Sequence, residues 1–375
     1  MGNLFWLNSA FEFQLRNFPN SYVLPSQFQD KFFAYEYLFA SLSQSTDYVL
    51  ITGKELNEQT ISSWTELFNQ EINFFDKNKI NSSTLNLVEW GKFYSYTNGD
   101  LISNEEKWKE SSFLNSKITQ ANWKSHYTSN ELNSCVIDST TNLKKYFKQN
   151  SVPIVLKEEF GFSGIGNKII TKKNLDLEIQ SKEKFVIEKW AETRTKDFSG
   201  LFDVKDRNAK FLSLTEMKIG KNGAFLASHL EPDQNELIIV EMQNFINSLL
   251  YQEKIDYVGP ISIDGFEYFD EGKFKLQIFS EINFRFSMGR VLYEIRKRRN
   301  AEKKSCSLFF AKVKIKTKNE LLDRLNKFSS INKIFYKILT PILQRSSSFP
   351  IVLYLESNEG DVLDTFLEIL PLILT

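Results

Sequence analysis

The residues of this chain best suited to chemistry are carboxylates, amides and cations carried on strands, because the usual nucleophiles and soft metal ligands are scarce. The 375 residues hold only two histidines (His126, His229) and two cysteines (Cys135, Cys306). That is too few for most zinc sites, Cys/His nucleophile pairs or a disulfide framework, so a catalytic metal must use oxygen ligands. The densest candidate group lies in residues 259–289, GPISIDGFEYFDEGKFKLQIFSEINFRFSMG. Asp270-Glu271-Gly272 has hairpin-turn chemistry between two alternating runs, so the return strand brings Glu281 and Asn283 alongside Asp264. Strand side chains alternate in direction: Glu281, Asn283 and Arg285 share one face, while Ile282, Phe284 and Phe286 line the other. Carboxylate and amide oxygens suit a hard cation such as magnesium, and Arg285 faces the anion that cation helps to hold. Taken alone, the same alternation reads as a solvated strand face on which Glu281 and Arg285 pair as surface charges.

A second feature is VPIVLKEEFGFSGIGNKIIT at residues 152–171, an apolar strand ending in Lys157, then Gly161, Gly164 and Gly166, then another strand. Glycines let successive amides turn towards an anion, which makes this a candidate phosphate flap with Lys157 beside it. It is not a Walker loop, because no Lys-Ser/Thr pair follows Gly166. Nor is it a Rossmann turn, because it enters a strand rather than a helix. On its own the loop reads equally well as a plain β-turn.

These groups require elements that hold them. Apolar runs at 4–7, 48–52 and 85–90, separated by helix-compatible stretches at 29–41 and 61–70, predict β-α-β units and a parallel sheet. Residues 98–117 read as a polar linker running into helix, and 142–149 as a short helix. From Pro153 onward, runs at 154–157, 168–171, 185–190, 210–215, 259–264 and 273–286 predict a mixed, largely antiparallel sheet, with 235–253 as the clearest helix. After Gly289 a helix-compatible run carries Arg296, Lys297, Arg298, Arg299, Lys303 and Lys304, read as a solvated helix face. A last strand is expected at 350–355 and a Leu-rich helix from Asp361. His229 reads as a hydrogen-bonded structural residue.

Composition narrows the classes. Lys+Arg and Asp+Glu are equal at 47 each, which argues against a general nucleic-acid binder. The length predicts two or three packed units. The N-terminus lacks a basic start followed by an apolar core, and the longest apolar stretch is interrupted by Asp364 and Glu368, short of the ~20 residues of a spanning helix. Two lone thiols fit a reducing compartment, so a cytoplasmic protein without membrane contact is expected.

In order and rough spacing, Lys157, the glycine loop, Phe185-Val186-Ile187-Glu188-Lys189-Trp190, Asp264 and Glu281-x-Asn283-x-Arg285 resemble the ATP-grasp superfamily. The likeness covers residues 115–289 and is most specific at Asp264 and the EINFR segment. The resemblance implies an α/β (α+β) ATP-grasp fold. Its parts would be an N-terminal parallel α/β pre-ATP-grasp domain (1–112), a small lid subdomain (113–190) and a mixed antiparallel C-terminal subdomain with the metal site and tail (191–375). It implies ATP and Mg2+, or Mn2+, as cofactors. Lys157 would contact the α/β phosphates, and Gly161, Ser163, Gly164 and Gly166 would close over ATP. Glu188 with the Lys189 and Trp190 backbone would form the adenine hinge, Asp197 would hold ribose and Lys218 a further phosphate. Asp264, Glu281 and Asn283 match the metal ligands, and Arg285 matches the arginine facing the transferred phosphate or the substrate carboxylate. The implied reaction activates a small-molecule carboxylate as an acyl phosphate and joins it to an amine, releasing ADP and phosphate, with Arg285 and Lys157 as catalytic residues and a homodimer as the common assembly. Two further readings stay open: a non-catalytic nucleotide-binding accessory protein, and a kinase-like phosphotransferase using the same ATP site.

Overall fold

The computed structural model describes residues 2–17, 26–53, 56–77, 85–97, 100–127, 132, 134–150, 153–161, 164, 166–171, 184–220, 225–314, 317–342, 349–360, 364 and 370. The apolar runs of the first third are strands β1 (Asn3–Trp6), β2 (Tyr48–Ile51), β3 (Asn73–Asp76) and β4 (Asn86–Glu89), hydrogen-bonded in parallel in the order β3-β2-β1-β4. Leu4, Val49 and Leu50 are fully buried, as in parallel strands covered on both faces. Helices α1 (Phe11–Asn17), α2 (Ser26–Glu36), which runs into the 3-10 turn Tyr37–Ser41, and α3 (Glu58–Phe68) fall between the strands in sequence. β3 is absent from the sequence reading. Only Phe74 and Phe75 are apolar within it, and at the edge of a sheet that is enough.

The stretch read as a linker is structured. β5 (Tyr94–Thr97) pairs with β6 (Asp100–Ser103), and α4 (Glu105–Asn115) and α5 (Lys117–Tyr127) follow. In sequence, the Asn98-Gly99 dipeptide that separates the two strands is a hairpin signal. Asn104 caps α4 by accepting the Lys107 amide.

A second sheet contains β7 (Cys135–Ile137), β8 (Ile154–Glu158), β9 (Asn167–Ile170) and β10 (Phe185–Lys189), antiparallel in the order β7-β10-β8-β9. Helix α6 (Thr140–Asn150) packs Leu143 and Phe147 against its Ile154 and Ile187.

The third sheet is built from β11 (Arg194–Lys205), β12 (Asn208–Ile219), β13 (Phe225–Leu230), β14 (Gly259–Asp270), β15 (Lys273–Asn283), β16 (Ser305–Val313), β17 (Phe335–Ile338) and β18 (Phe349–Ser357). Its order is β15-β14-β11-β12-β13-β16-β18-β17, and every described pair is antiparallel. Helix α7 (Glu236–Gln252) covers one face, with Met242, Ile246 and Leu249 in one core with Phe198, Phe202 and Phe279. Helix α8 (Met288–Arg298) covers the other. A Cβ at Gly289 would meet Thr215 Oγ1 at 2.9 Å, so glycine is what lets α8 approach the sheet so closely. Helix α9 (Lys318–Asn332) adds Leu321 and Leu325 to a core with Ile351 and Leu353 of β18. The Leu-rich helix expected from Asp361 falls mostly outside the described residues. Among the described residues, no helix is long and apolar enough to cross a membrane.

The parallel sheet does not pack alone. Phe5, Phe39 and Trp90 share a core with Phe286 and Leu292 around α8 and with Tyr354 of β18. The basic run of α8 reinforces this joint, and here the solvated-face reading is corrected. Arg298 Nη1 donates to the carbonyls of Ala40 (2.9 Å) and Ser43 (2.8 Å), and its Nη2 to Gln70 Oε1 (3.1 Å). Arg299 Nη1 donates to the Leu67 carbonyl (2.9 Å) while its Nε pairs with Glu356 (2.8 Å). Arg296 is buried and donates to the carbonyls of Ala301 and Glu231, both at 3.1 Å. Only Lys297 and Lys303 of the cluster are exposed. Guanidinium forks reach several carbonyls left open at helix ends, which a compact ammonium cannot do.

Arg298→Ala is therefore expected to lower unfolding free energy by about 1–3 kcal/mol, the worth of charge-assisted hydrogen bonds left unmade. Arg298→Lys should restore only part of it. Urea unfolding followed by circular dichroism checks this, and an unchanged midpoint for Arg298→Ala would remove the stapling role.

Candidate active site

β14 and β15 bring the acidic group together. Asp264 stands directly opposite Glu281, and Ser262 opposite Asn283. The register shifts between Asp264 and Phe266. This irregularity explains why Phe279 packs into the α7 core although strict alternation would put it on the same face as Glu281. Ile282 and Phe284 join that core as expected, whereas Phe286 enters the core shared with the parallel sheet. Asn283 Nδ2 donates to Asp264 Oδ2 at 3.1 Å. Burial, and after it the neighbouring Glu281 carboxylate, push the Asp264 carboxyl up to about 6. Beside them the Ser262 hydroxyl is buried without a hydrogen-bond partner among the described residues. Two adjacent carboxylates, an amide oxygen and an unsatisfied hydroxyl fit a hard divalent cation, which would relieve the repulsion that raises Asp264.

Two lysines absent from the sequence reading complete this end of the cleft. Lys117 and Lys124, 7% and 3% exposed, lie seven residues apart on α5, one face of the helix. Between them Gln120 donates to the Ile282 carbonyl (2.6 Å) and accepts the Ile282 amide (2.9 Å), clamping α5 to β15. Lys117 Nζ reaches Glu281 Oε1 at 2.8 Å and the Gly161 carbonyl at 2.6 Å. Lys124 Nζ lies 2.9 Å from Glu188 Oε1, while Lys157 Nζ lies 2.7 Å from Glu188 Oε2. Ser134 Oγ also donates to Glu188, at 2.6 Å. Burial would push the Glu188 carboxyl up, but the Lys124 and Lys157 ammonium groups prevail and hold it well below the usual carboxylate range. The only signal for these lysines in sequence is their spacing in an otherwise ordinary helix.

Of the glycine loop, Gly161, Gly164 and Gly166 are described, and the Gly161 carbonyl is held by Lys117. Gly164 and Gly166 have φ of 80° and 85°, a left-handed backbone that a side chain would strain. The Glu158 amide donates to the Gly166 carbonyl at 3.0 Å, closing the turn, and Glu158 pairs with Arg16 of α1 at 2.7 Å. Ser163 lies outside the described residues. At the proposed hinge, the Trp190 amide donates to the Pro153 carbonyl (2.8 Å) and Lys189 pairs with Asp270 at 3.4 Å. Asp197 pairs with Arg194 at 3.0 Å, and that guanidinium lies over the rings of Phe266 (3.6 Å) and Trp190 (5.3 Å). Arg285 meets Glu12 of α1 at 2.6 Å. Lys218 is not brought to the cluster: it is held by Glu216 (2.6 Å) and Asp364 (3.1 Å). His229 is buried between Ser307, 2.6 Å from its Nδ1, and Glu231, as a structural histidine would be.

The strained carboxylate gives a signed expectation. Between the unfolded value near 4 and about 6, the folded chain binds the extra proton at Asp264, so this group makes stability fall as pH rises through that window. Above it the cost is present in full. Asp264→Asn should thus stabilise the ligand-free chain at pH 7.5 by about 1–3 kcal/mol and lose that advantage towards pH 4. Denaturant titrations at the two pH values test it, and destabilisation at pH 7.5 would contradict it.

The sequence matches no family model, and no curated protein matches it. Solved structures do. The chain is similar to N5-carboxyaminoimidazole synthetase from Staphylococcus aureus complexed with ADP, at 13% identity over 90% of this chain and 94% of that one, with a TM-score of 0.58. It is similar to carboxyaminoimidazole ribonucleotide synthase from Aspergillus clavatus complexed with ATP, at 13% identity, 87% and 97% coverage and a TM-score of 0.55. A third likeness is to phosphoribosylamine–glycine ligase from Thermotoga maritima, at 11% identity, 88% and 90% coverage and a TM-score of 0.51. At such identities the likeness is one of architecture. With a parallel sheet, a four-stranded antiparallel sheet carrying the glycine loop and a large antiparallel sheet bearing the acidic pair, this chain has the ATP-grasp fold.

Proposed function

We propose that the chain is an ATP- and Mg2+-dependent ligase that activates a carboxylate as an acyl phosphate and joins it to an amine. One observation carries the reading. Three buried lysines, Lys117, Lys124 and Lys157, line one cleft with Glu188 and Glu281, and Lys117 and Glu281 also border a second recess with Asn283, whose amide donates to Asp264. Cations beside a hard-metal donor set are what a triphosphate requires, since phosphoryl transfer is catalysed by positioning and by offsetting charge. The similar structures, which include ADP and ATP complexes and a ligase, support the same reading.

In the ligand-free arrangement the lysines are neutralised by Glu188 and Glu281. Phosphate oxygens would take over part of that pairing, with Lys157 and Lys124 on the side of Glu188 and Lys117 on the side of the acidic pair. A divalent cation held by Asp264, Glu281 and Asn283 would supply further charge neutralisation on the phosphoryl oxygens. The Gly161–Gly166 turn, with Ser163 in it, would cover the nucleotide and exclude water. Glu188, Lys189 and Trp190 would flank the adenine, and Asp197 the ribose. The substrate carboxylate oxygen attacks the γ-phosphorus as the bond to the ADP oxygen breaks. The amine nitrogen then attacks the acyl carbon, loses a proton and expels phosphate. Arg285 offsets charge on the reacting carboxylate or phosphate. No protein nucleophile takes part, in keeping with the scarcity of His and Cys. In this reading residues 1–112, 113–190 and 191–375 serve as substrate-binding, lid and metal-bearing parts.

A pyruvate kinase-coupled assay of ADP release against pooled carboxylates and amines tests the proposal. Release should require both substrates and fall roughly 100-fold or more in Lys157→Met and Glu281→Gln, the scale of losing a charge-stabilising group. Release without an amine would favour a kinase, and nucleotide binding without turnover an accessory protein. Formation of AMP and pyrophosphate would overturn the mechanism.

A further inference from the structure

The polar cluster around His229 has no part in the proposed ligase reaction. Thr215 of β12 stands opposite Ser199, which stands opposite Asp264, whereas His229 stands opposite Glu216. Successive strand residues point to opposite faces, so His229 lies on the face behind the acidic pair. Three metal-ligating side chains meet there. His229 Nε2, a Glu231 oxygen and an Asp364 oxygen all lie within 4.8 Å of one another. Glu231 follows β13, two residues after His229, while Asp364 comes from the C-terminal part of the chain.

The three are not equally satisfied. His229 is 1% exposed, and its Nδ1 is held 2.6 Å from Ser307 Oγ, which turns Nε2 towards Glu231 Oε1. The other Glu231 oxygen accepts from Ser305 Oγ at 2.5 Å. A Cβ at Gly360 would meet both Glu231 oxygens at 3.0 Å, so the chain closes tightly over that carboxylate. Asp364 differs. Its Oδ1 is sealed from solvent and makes no hydrogen bond among the described residues. Lys218 Nζ, 3.1 Å away, is near enough for charge attraction but out of line for a hydrogen bond, and Glu216 holds it more closely, at 2.6 Å. A histidine–glutamate hydrogen bond would be complete without Asp364. Adding a second carboxylate sets like charges side by side and leaves a buried oxygen without a donor, a cost that a divalent cation removes.

We propose that His229, Glu231 and Asp364 form a second cation site, separate from the nucleotide cleft, for a divalent transition ion of the Zn2+ class, with water completing its shell. The imidazole nitrogen sets the selectivity, since Mg2+ takes oxygen ligands whereas Zn2+ accepts nitrogen and oxygen together. The outer partners suit that role. A ligating imidazole donates its other ring N–H to an oxygen, and ligating carboxylates are themselves hydrogen-bonded, the parts that Ser307 and Ser305 fill here. On binding, the ion takes the Nε2 lone pair, the ring proton sits on Nδ1 facing Ser307 Oγ, and Lys218 stays with Glu216. Ligands about 2 Å from one ion lie roughly 3–4 Å apart, so Asp364 has to approach by about an ångström and His229 and Glu231 to part slightly. The Glu231 and Asp364 side chains are 36% and 45% exposed, which gives a hydrated ion a way in. Once bound, it fastens Asp364 to the end of β13. The site does not depend on the ligase reading.

The test is Zn2+ titration of the full chain in competition with a chromophoric chelator, repeated with Co2+ as a spectroscopic probe. Glu281→Gln serves as the parent, so that the acidic pair of β14 and β15 does not take the ion. A single Zn2+ should bind per chain and survive a large excess of Mg2+. Adding Asp364→Asn or His229→Gln should weaken it by roughly tenfold or more, and Ser307→Ala, which leaves all three ligands in place, by roughly tenfold. The visible Co2+ bands should shift when His229 is replaced. Zn2+ should raise the Tm of the parent but not of Asp364→Asn, because only a bound ion stabilises the folded chain. Circular dichroism reports the folding of each variant. If the buried His229→Gln does not fold, the half-exposed Asp364→Asn decides. The proposal fails if the parent retains no Zn2+, if Mg2+ displaces it at comparable concentration, or if folded Asp364→Asn binds it as tightly as the parent.

Discussion

The buried carboxylate of Glu188 between Lys124 and Lys157 is the interaction on which the site depends. Two ammonium groups drawn into one desolvated cleft would repel each other and lose hydration, so neither could stay there without an anion. Glu188 supplies it and in doing so fastens α5 to the β8–β10 sheet. The Gln120 clamp on Ile282 fastens the same helix to β15. Helix α5 is thus the part that ties the sheet of β8 and β10 to the sheet carrying the acidic pair. Burial disfavours the Lys124 ammonium, and the Glu188 carboxylate opposes that effect while orienting the group.

A second joint fixes the other side of the cleft. The apolar core around α8 and the arginine forks at its C-terminal end lock the parallel sheet onto the large sheet. Gly289 permits the close approach that this packing needs. Because Arg285 precedes α8 and Glu12 belongs to α1, their contact is a product of this joint rather than of either sheet alone. The basic run therefore helps decide where the carboxyl ends of β1 and β4 meet the acidic pair.

The residues around β14 and β15 concentrate costs of the fold. Asp264 is ionised against burial and a neighbouring carboxylate, Ser262 is buried without a partner among the described residues, and Glu12 and Arg285 are desolvated together. Features of this kind destabilise an empty site and are relieved by ligands of the complementary charge. Their clustering on one face of the large sheet distinguishes it from the back of the same sheet. There His229 and Lys218 have their partners within the chain.

The sequence alone settled the elements whose signals are local. Buried runs marked β1, β2 and β4, a hairpin turn set Asp264 against Glu281, and a Lys followed by spaced glycines marked the β8–β9 loop. Each of these depends on alternation or turn chemistry within a few residues. The β5–β6 hairpin is equally local and is signalled by Asn98-Gly99. Tertiary structure alone decided which charges meet. Lys124 reaches Glu188 across 64 residues, Lys117 reaches Glu281 across 164, and Glu12 reaches Arg285 only because two sheets share one core. The bulge that separates Phe279 from Glu281 and the arginines that turned from solvent to carbonyls belong to the same class. A lysine or arginine has the same helix propensity whether it faces water or a buried acid, and the difference arises only when distant segments remove the water between them.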